Sequence, residues 1–133
     1  MQQRRLRTVV VDDSDAMLRV ICDFLATQQH VVVVGTATSG QEALLAVDVF
    51  RPELVLLDIE MPEITGIEAA TRLSAKYPSL DIAIITAHDT PQIRRVCRAA
   101  GAKWFVVKQR LGTELPCVIQ QAMRLQRAAG AGQ

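Results

Sequence analysis

Asp12 and Asp13 stand side by side, Asp58 stands alone, and Thr86 and Lys108 follow at a distance; each closes a short apolar run. Singly, none of these residues signals chemistry. An aspartate at the end of a strand is usually a helix cap or a turn former, a threonine there is usually a satisfied turn hydroxyl, and a lysine a solvated surface group. As a set they say more. Three carboxylates gathered at one place repel one another and raise their own pKa values. A hard divalent cation offsets that repulsion. Mg²⁺ suits the task, because it takes few protein ligands and keeps water and phosphate oxygens in its shell; Mn²⁺ would serve in the same place. The ammonium of Lys108 adds further positive charge. A carboxylate held beside such charges, in a pocket open to solvent, is a nucleophile toward phosphorus, and its product is an aspartyl-phosphate. Phosphoryl transfer asks above all for positioning and charge neutralisation, and these groups supply both.

The five residues act together only if the chain folds them to one place, and two alternating hydrophobic periods predict how. Thr8–Val11, Val31–Val34, Leu54–Leu57, Ile82–Ile85 and Phe105–Val107 read as short strands. Between them lie helical patterns. Leu18, Ile21, Cys22 and Leu25 recur at i, i+3, i+4 and i+7. Ser39 with Glu42, and Thr65 with Glu68, read as capping boxes. They open helices whose buried sides carry Ala43, Leu44 and Val47, then Ile67, Ala70 and Leu73. Thr90 caps a fourth helix with Pro91 in its first turn and a core stripe of Ile93, Val96, Cys97 and Ala100. The fifth helix carries Leu115, Val118, Ile119 and Ala122. Pro116 is expected in its first turn, since a proline deeper inside would break it.

Five βα units result. Strands apolar at nearly every position imply a parallel sheet covered by helices on both faces, and right-handed crossovers wind it into a single doubly wound α/β domain. In such a sheet, ligands bind beyond the C-terminal ends of the strands, near the topological switch point. Four of the five strands end in the reactive set. The domain is expected over residues 6–127, with an N-terminal tail at 1–5 and a flexible C-terminal tail at 128–133.

Composition narrows the function classes. Half of the 133 residues are hydrophobic and 22% are charged, which suits one globular core. A net charge of +1 gives no general attraction for nucleic acid or for an anionic membrane. Arg4, Arg5 and Arg7 read as a solubilising tail, and Arg94, Arg95 and Arg98 as a solvated helix face. No apolar stretch is long enough to span a bilayer, and no secretion signal opens the chain, so the cytoplasm is the expected compartment. Cys22, Cys97 and Cys117 are far apart and odd in number, which argues against a disulfide framework or a zinc site. Each is read as a buried small hydrophobe.

The segments VVVDDSDAM, LVLLDIEMPEITGIEA, IAIITAHD and GAKWFVVK resemble, in order and spacing, the receiver domains of bacterial two-component response regulators. The resemblance runs from about Arg5 to Leu125. It implies a flavodoxin-like (βα)5 fold with strand order 2-1-3-4-5. It implies that Asp12 and Asp13 are Mg²⁺ ligands, that Asp58 is the phosphoacceptor and a further ligand, and that the backbone carbonyl of Glu60 completes the protein ligands. Thr86 is implied as the hydroxyl that moves to the phosphoryl group, Lys108 as the cation that pairs with it, and Phe105 as the aromatic switch. Met61, Pro62 and Gly66 match the loop after the phosphoacceptor, with Gly66 read as permitting a tight turn. The implied partners are a sensor histidine kinase or histidine phosphotransfer protein upstream, and a downstream protein or an output domain. A phosphorylation-dependent homodimer is also compatible.

The chain departs from the pattern in places. Gln109 follows the lysine where proline is common, so a cis bond there would carry the full non-proline penalty. Phe105 replaces the common tyrosine. Trp104 is expected to cover the edge of the core, with a role as an exposed partner anchor as the alternative. Glu60 and His88 are expected to flank the phosphoryl group and tune its lifetime. Three functional readings compete: a stand-alone receiver, a receiver from a longer regulator with a DNA-binding domain, and a Mg²⁺-dependent phosphatase. The segment VVVVGTATSG and the lysine strand are similar to regulators of the second kind. The haloacid dehalogenase family represents the third, but its nucleophile comes first, in a D-x-D pair on the first strand, whereas here the acidic pair leads. A phosphoacceptor that turns over no separate substrate is therefore expected.

Overall fold

The computed structural model describes residues 4–131, with side chains through Ala129. Residues 1–3 and 132–133 of the expected tails lie outside it. Five strands and five helices alternate: β1 (Leu6–Val11), α1 (Asp15–Ala26), β2 (Val31–Ala37), α2 (Gly40–Phe50), β3 (Leu54–Asp58), α3 (Gly66–Lys76), β4 (Asp81–Thr86), α4 (Pro91–Ala99), β5 (Trp104–Val107) and α5 (Leu111–Ala131). A 3₁₀ turn, Lys108–Arg110, joins the last two. All strand pairs are parallel, in the order β2-β1-β3-β4-β5. This is the flavodoxin-like fold expected from the sequence.

The period of two along the strands sorts the core into two layers. Val9, Val11, Val55, Leu57, Ile82 and Ile84 point to one face and pack with α2, α3 and α4. Leu6, Val10, Leu54, Leu56, Ala83, Ile85 and Val106 point to the other and pack with α1 and α5. The central strands are buried on both faces; their buried polar residues are Thr8 in β1 and, at strand ends, Asp58, Asp81 and Thr86. Burial at roughly 25 cal/mol per Å² makes this two-sided core the main source of stability.

Three helices begin at the expected caps, Ser39, Thr65 and Thr90, and α1 begins at Ser14, which the sequence reading did not single out; each accepts a hydrogen bond from the backbone three residues on. The capping boxes close differently from the expectation. Glu42 reaches the backbone N–H and hydroxyl of Thr38, one residue before the cap, each at 2.9 Å. Glu68 turns outward to pair with Arg72 instead.

Several expectations are corrected. Pro116 lies well inside α5, because the helix begins at Leu111. One missing N–H is outweighed downstream by the buried stripe of Val118, Ile119, Ala122 and Met123 and upstream by Glu114, which accepts from the Val107 N–H at 2.9 Å and anchors the first turn. Val96 is exposed rather than part of the α4 stripe. Of the cysteines, Cys97 is buried, Cys22 half-buried and Cys117 exposed; Cys117 falls on the solvent side of α5, between buried Leu115 and Val118. α5 also continues to Ala131, into the segment expected as a tail. Arg4 and Arg7 are tied to the domain rather than free in solvent. Arg4 pairs with Glu53, and the Arg7 guanidinium donates to the carbonyls of Arg51 (2.7 Å) and Phe50 (2.5 Å), closing the C-terminal end of α2.

Candidate functional site

β1 and β3 lie side by side at the centre of the sheet, on either side of the point where strand order reverses. Asp12 follows β1 and Asp58 ends β3, so topology alone brings them together. Asp12, Asp13 and Asp58 each offer a carboxylate oxygen, and these lie within 4.8 Å of one another. Asp12 and Asp58 are buried, at 1% and 3% exposure, while Asp13 is open to solvent. The Ser14 N–H donates to Asp12 Oδ1 at 2.9 Å and fixes that carboxylate. Its other oxygen, Oδ2, is buried and is met by an ammonium instead of a backbone N–H. Its neighbour is Lys108 Nζ at 3.0 Å, and the same ammonium stands 3.4 Å from Asp58 Oδ1.

The electrostatics follow from this crowding. Burial, then the negative charge of Asp12, pushes the Asp58 carboxyl up to about 6; Lys108 and the Glu60 N–H oppose the rise. Burial pulls Lys108 down, but its bonds and charge attraction to Asp12 and Asp58 outweigh it, so the ammonium stays firmly protonated. One cation does not balance three carboxylates. Three carboxylates within reach of one another, with a single ammonium among them and all donors hard oxygens, fit a divalent cation such as Mg²⁺.

Thr86 ends β4 and is buried; its hydroxyl accepts the His88 N–H at 3.1 Å, so it is turned into its own loop. Phe105 is half-buried on the α4 side of β5, with the Arg94 guanidinium 4.5 Å above its ring. Trp104 faces the other layer and covers the core edge there, its indole N–H donating to Gln121 at 2.7 Å. Glu60 and His88, on separate loops, meet at 2.6 Å. The peptide bonds of the described residues are all trans, the one after Lys108 included. Gly66 is required by close approach rather than by its own dihedral angles: a Cβ there would lie 1.9 Å from the carbonyl oxygen of Asp58. Any larger residue would push α3 away from the end of β3.

Sequence reasoning missed one group beside the site. Asp89, in the β4–α4 loop, binds Arg94 at 2.6 and 3.1 Å and Arg110 at 3.3 Å. Arg110 in turn holds Glu114 at 2.9 Å. Only the last pair carries a local signal, the i, i+4 spacing. It also missed Asp81, buried at the opposite rim with Lys103 and Gln126 as partners.

The comparisons with known proteins agree with this geometry. Residues 8–120 match the model of the response regulator receiver domain, and the chain belongs to that family. The response regulator domain of Thermotoga maritima CheB superimposes with a TM-score of 0.84 at 31% identity, covering 91% of this chain and 98% of that one. The receiver domain of the putative response regulator NarL from Mycobacterium tuberculosis gives 0.84 at 30% identity, over 90% and 98%. Among curated relatives, the transcriptional regulatory protein YhcZ of Bacillus subtilis is 33% identical over 110 residues, which is 83% of this chain and 51% of that protein. The chain thus spans about half that relative. It spans 36% of the protein-glutamate methylesterase/protein-glutamine glutaminase of Bacillus subtilis, at 29% identity. The chain is a phosphoacceptor receiver of two-component signalling. No helix among the described residues is long and apolar enough to cross a membrane.

Proposed function

We propose that Asp58 is the phosphoacceptor and that the rim around it forms the switch. The observation that supports this best is the single ammonium of Lys108 shared between Asp12 and Asp58, 3.0 and 3.4 Å away. It stands where the oxygens of an incoming phosphoryl group need positive charge. Asp12, Asp13, Asp58 and the backbone carbonyl of Glu60 would hold Mg²⁺, or Mn²⁺ in its stead. When bound, that ion supplies the positive charge the three carboxylates leave unmatched. A carboxylate oxygen of Asp58 attacks phosphorus in line. The new O–P bond forms as the bond from phosphorus to the donor's nitrogen or oxygen breaks, and the donor leaves with that electron pair. The donor is the phosphohistidine of a sensor kinase or phosphotransfer protein.

The product adds about −1.5 to −2 charge and new acceptor oxygens. Thr86 releases the His88 N–H and donates to one of them, and Lys108 pairs with another. The β4–α4 loop follows Thr86 inward, Phe105 turns into the space, and the α4–β5–α5 face changes shape. A downstream protein, an output domain or a second copy of the chain reads that face. The receiver unit is residues 6–127, it works in the cytoplasm, and beyond its own phosphorylation and dephosphorylation it turns over no substrate. Similarity to a transcriptional regulator of about twice the length favours, as a second reading, a receiver that controls a DNA-binding domain. A reading frame extending past Gln133 would decide for it. The primary test is incubation with acetyl phosphate and Mg²⁺. The wild type should gain one phosphoryl group by intact mass and Asp58→Ala none; equal labelling of Asp58→Ala would overturn the assignment.

A further inference from the structure

We propose that Asp89 is a latch that holds the resting state of the switch; this rests on the assignment of Asp58, Thr86 and Phe105 above. Asp89 lies three residues after Thr86, in the loop that must move. Both its carboxylate oxygens are engaged. Oδ1 accepts from Arg94 Nε at 2.6 Å, while Oδ2 accepts from Arg94 Nη2 at 3.1 Å and from Arg110 Nη2 at 3.3 Å. The loop is thereby tied to α4 and to the 3₁₀ turn after β5. Each tie reaches β5. Arg94, held by Asp89, lies 4.5 Å over the Phe105 ring and covers its outer face. Arg110 passes the link to Glu114 at 2.9 Å, and Glu114 accepts the Val107 N–H at 2.9 Å, next to Lys108. The network therefore spans the two strand ends that carry Thr86 and Lys108, and it grips the aromatic ring between them.

These are partly exposed groups, so each pair alone is weak, but the carboxylate is shared and the Arg94 contact is a two-point one. Moving the loop toward Asp58 draws Asp89 away from Arg94 and Arg110, which sit on elements packed to the core. The resting state keeps these contacts and the switched state loses them. A ligand of the switched state must then overcome that difference, and its apparent affinity falls by the fraction of molecules already switched.

The test is a titration of the full chain with beryllofluoride, a phosphoryl mimic, in Mg²⁺, followed by the fluorescence of Trp104, the single tryptophan and the neighbour of Phe105. Asp89→Ala should reach half-saturation at about a three- to tenfold lower concentration than wild type, with the same endpoint. Arg110→Gln, which cuts one arm, should shift it in the same direction by less. A purely structural role for Asp89 would lower the melting temperature without this leftward shift, and an unchanged or higher half-saturation would overturn the latch. Wild-type labelling at Asp58 by acetyl phosphate in parallel separates the two claims. If the wild type labels and Asp89→Ala titrates like it, the latch alone is wrong; if the wild type does not label, the site assignment fails.

Discussion

At the scale of single residues, the most informative group is the Asp58 carboxyl, pushed up to about 6 by burial and by Asp12. A folded-state value above the unfolded one means that the folded protein holds more protons in that interval. Stability from this group is full below about pH 4, is lost as pH rises through about 6, and stays low above it. A rise of that size corresponds to a penalty on the order of 2–3 kcal/mol at pH 7.5 without added metal. Asp58→Asn should therefore be more stable than wild type under those conditions by up to that amount, and the difference should vanish near pH 4. Denaturant melts at the two pH values in chelator measure it; a variant less stable than wild type at pH 7.5 would contradict the crowding of charge. Adding Mg²⁺ should raise the wild type more than the variant. Glu60 and His88 belong to the same scale. Their 2.6 Å contact joins two loops beside Asp58, and a pair that shields the phosphoryl group from water should lengthen its life. Replacing both with alanine should shorten the phosphoryl half-life, by about threefold, as read by loss of label after removal of donor. An unchanged half-life would make the pair a surface contact only.

At the scale of elements, two glycines make a matched contrast. Gly66 opens α3 where a Cβ would meet the Asp58 carbonyl at 1.9 Å, whereas Gly112 lies in the first turn of α5 with nothing near its would-be Cβ. Gly112→Ala should stabilise the protein by roughly 0.5–1 kcal/mol. Gly66→Ala should cost at least about 2 kcal/mol, on the order expected of an overpacked site, and should weaken phosphorylation by shifting β3's end. Thermal unfolding of the two variants checks both signs. Elements are also where the sequence was most legible. Leu54–Leu57 and Ile82–Ile85 are buried on both faces, and such runs announce central parallel strands without any partner information. Ser39, Thr65 and Thr90 are local signals too, because a cap bonds within three residues. Pro116 and Val96 were misread for the opposite reason. Whether a proline is tolerated depends on what the rest of α5 buries, and whether an apolar residue is covered depends on the angle at which α4 meets the sheet. Neither is written in the local pattern.

At the scale of the whole molecule, the site was legible because topology does the gathering. Once the strands are parallel and doubly wound, Asp12, Asp58, Thr86 and Lys108 fall on one rim wherever they stand in the chain. The strand order placed β1 beside β3, and the two buried aspartates with it. What escaped was the second ring of contacts: Asp89 with Arg94 and Arg110, and the Glu60–His88 pair. These join loops distant in sequence through side chains that many surfaces carry, so their pairing exists only in the folded molecule. Asp89, through Arg94 and Arg110, ties the β4–α4 loop to α4 and to the turn after β5, so a movement of that loop would be felt across the α4–β5–α5 face.

The central claim is the identity of the acceptor. It is tested most directly by treating the chain with acetyl phosphate and Mg²⁺, reducing the acyl phosphate with borohydride, and sequencing the peptides by mass spectrometry. Reduction converts a phosphorylated aspartate to homoserine. Phosphorylation at Asp58 predicts homoserine at position 58 and unmodified aspartate at positions 12 and 13. Homoserine at Asp12 or Asp13, or at no aspartate while the intact protein carries phosphate, would contradict it.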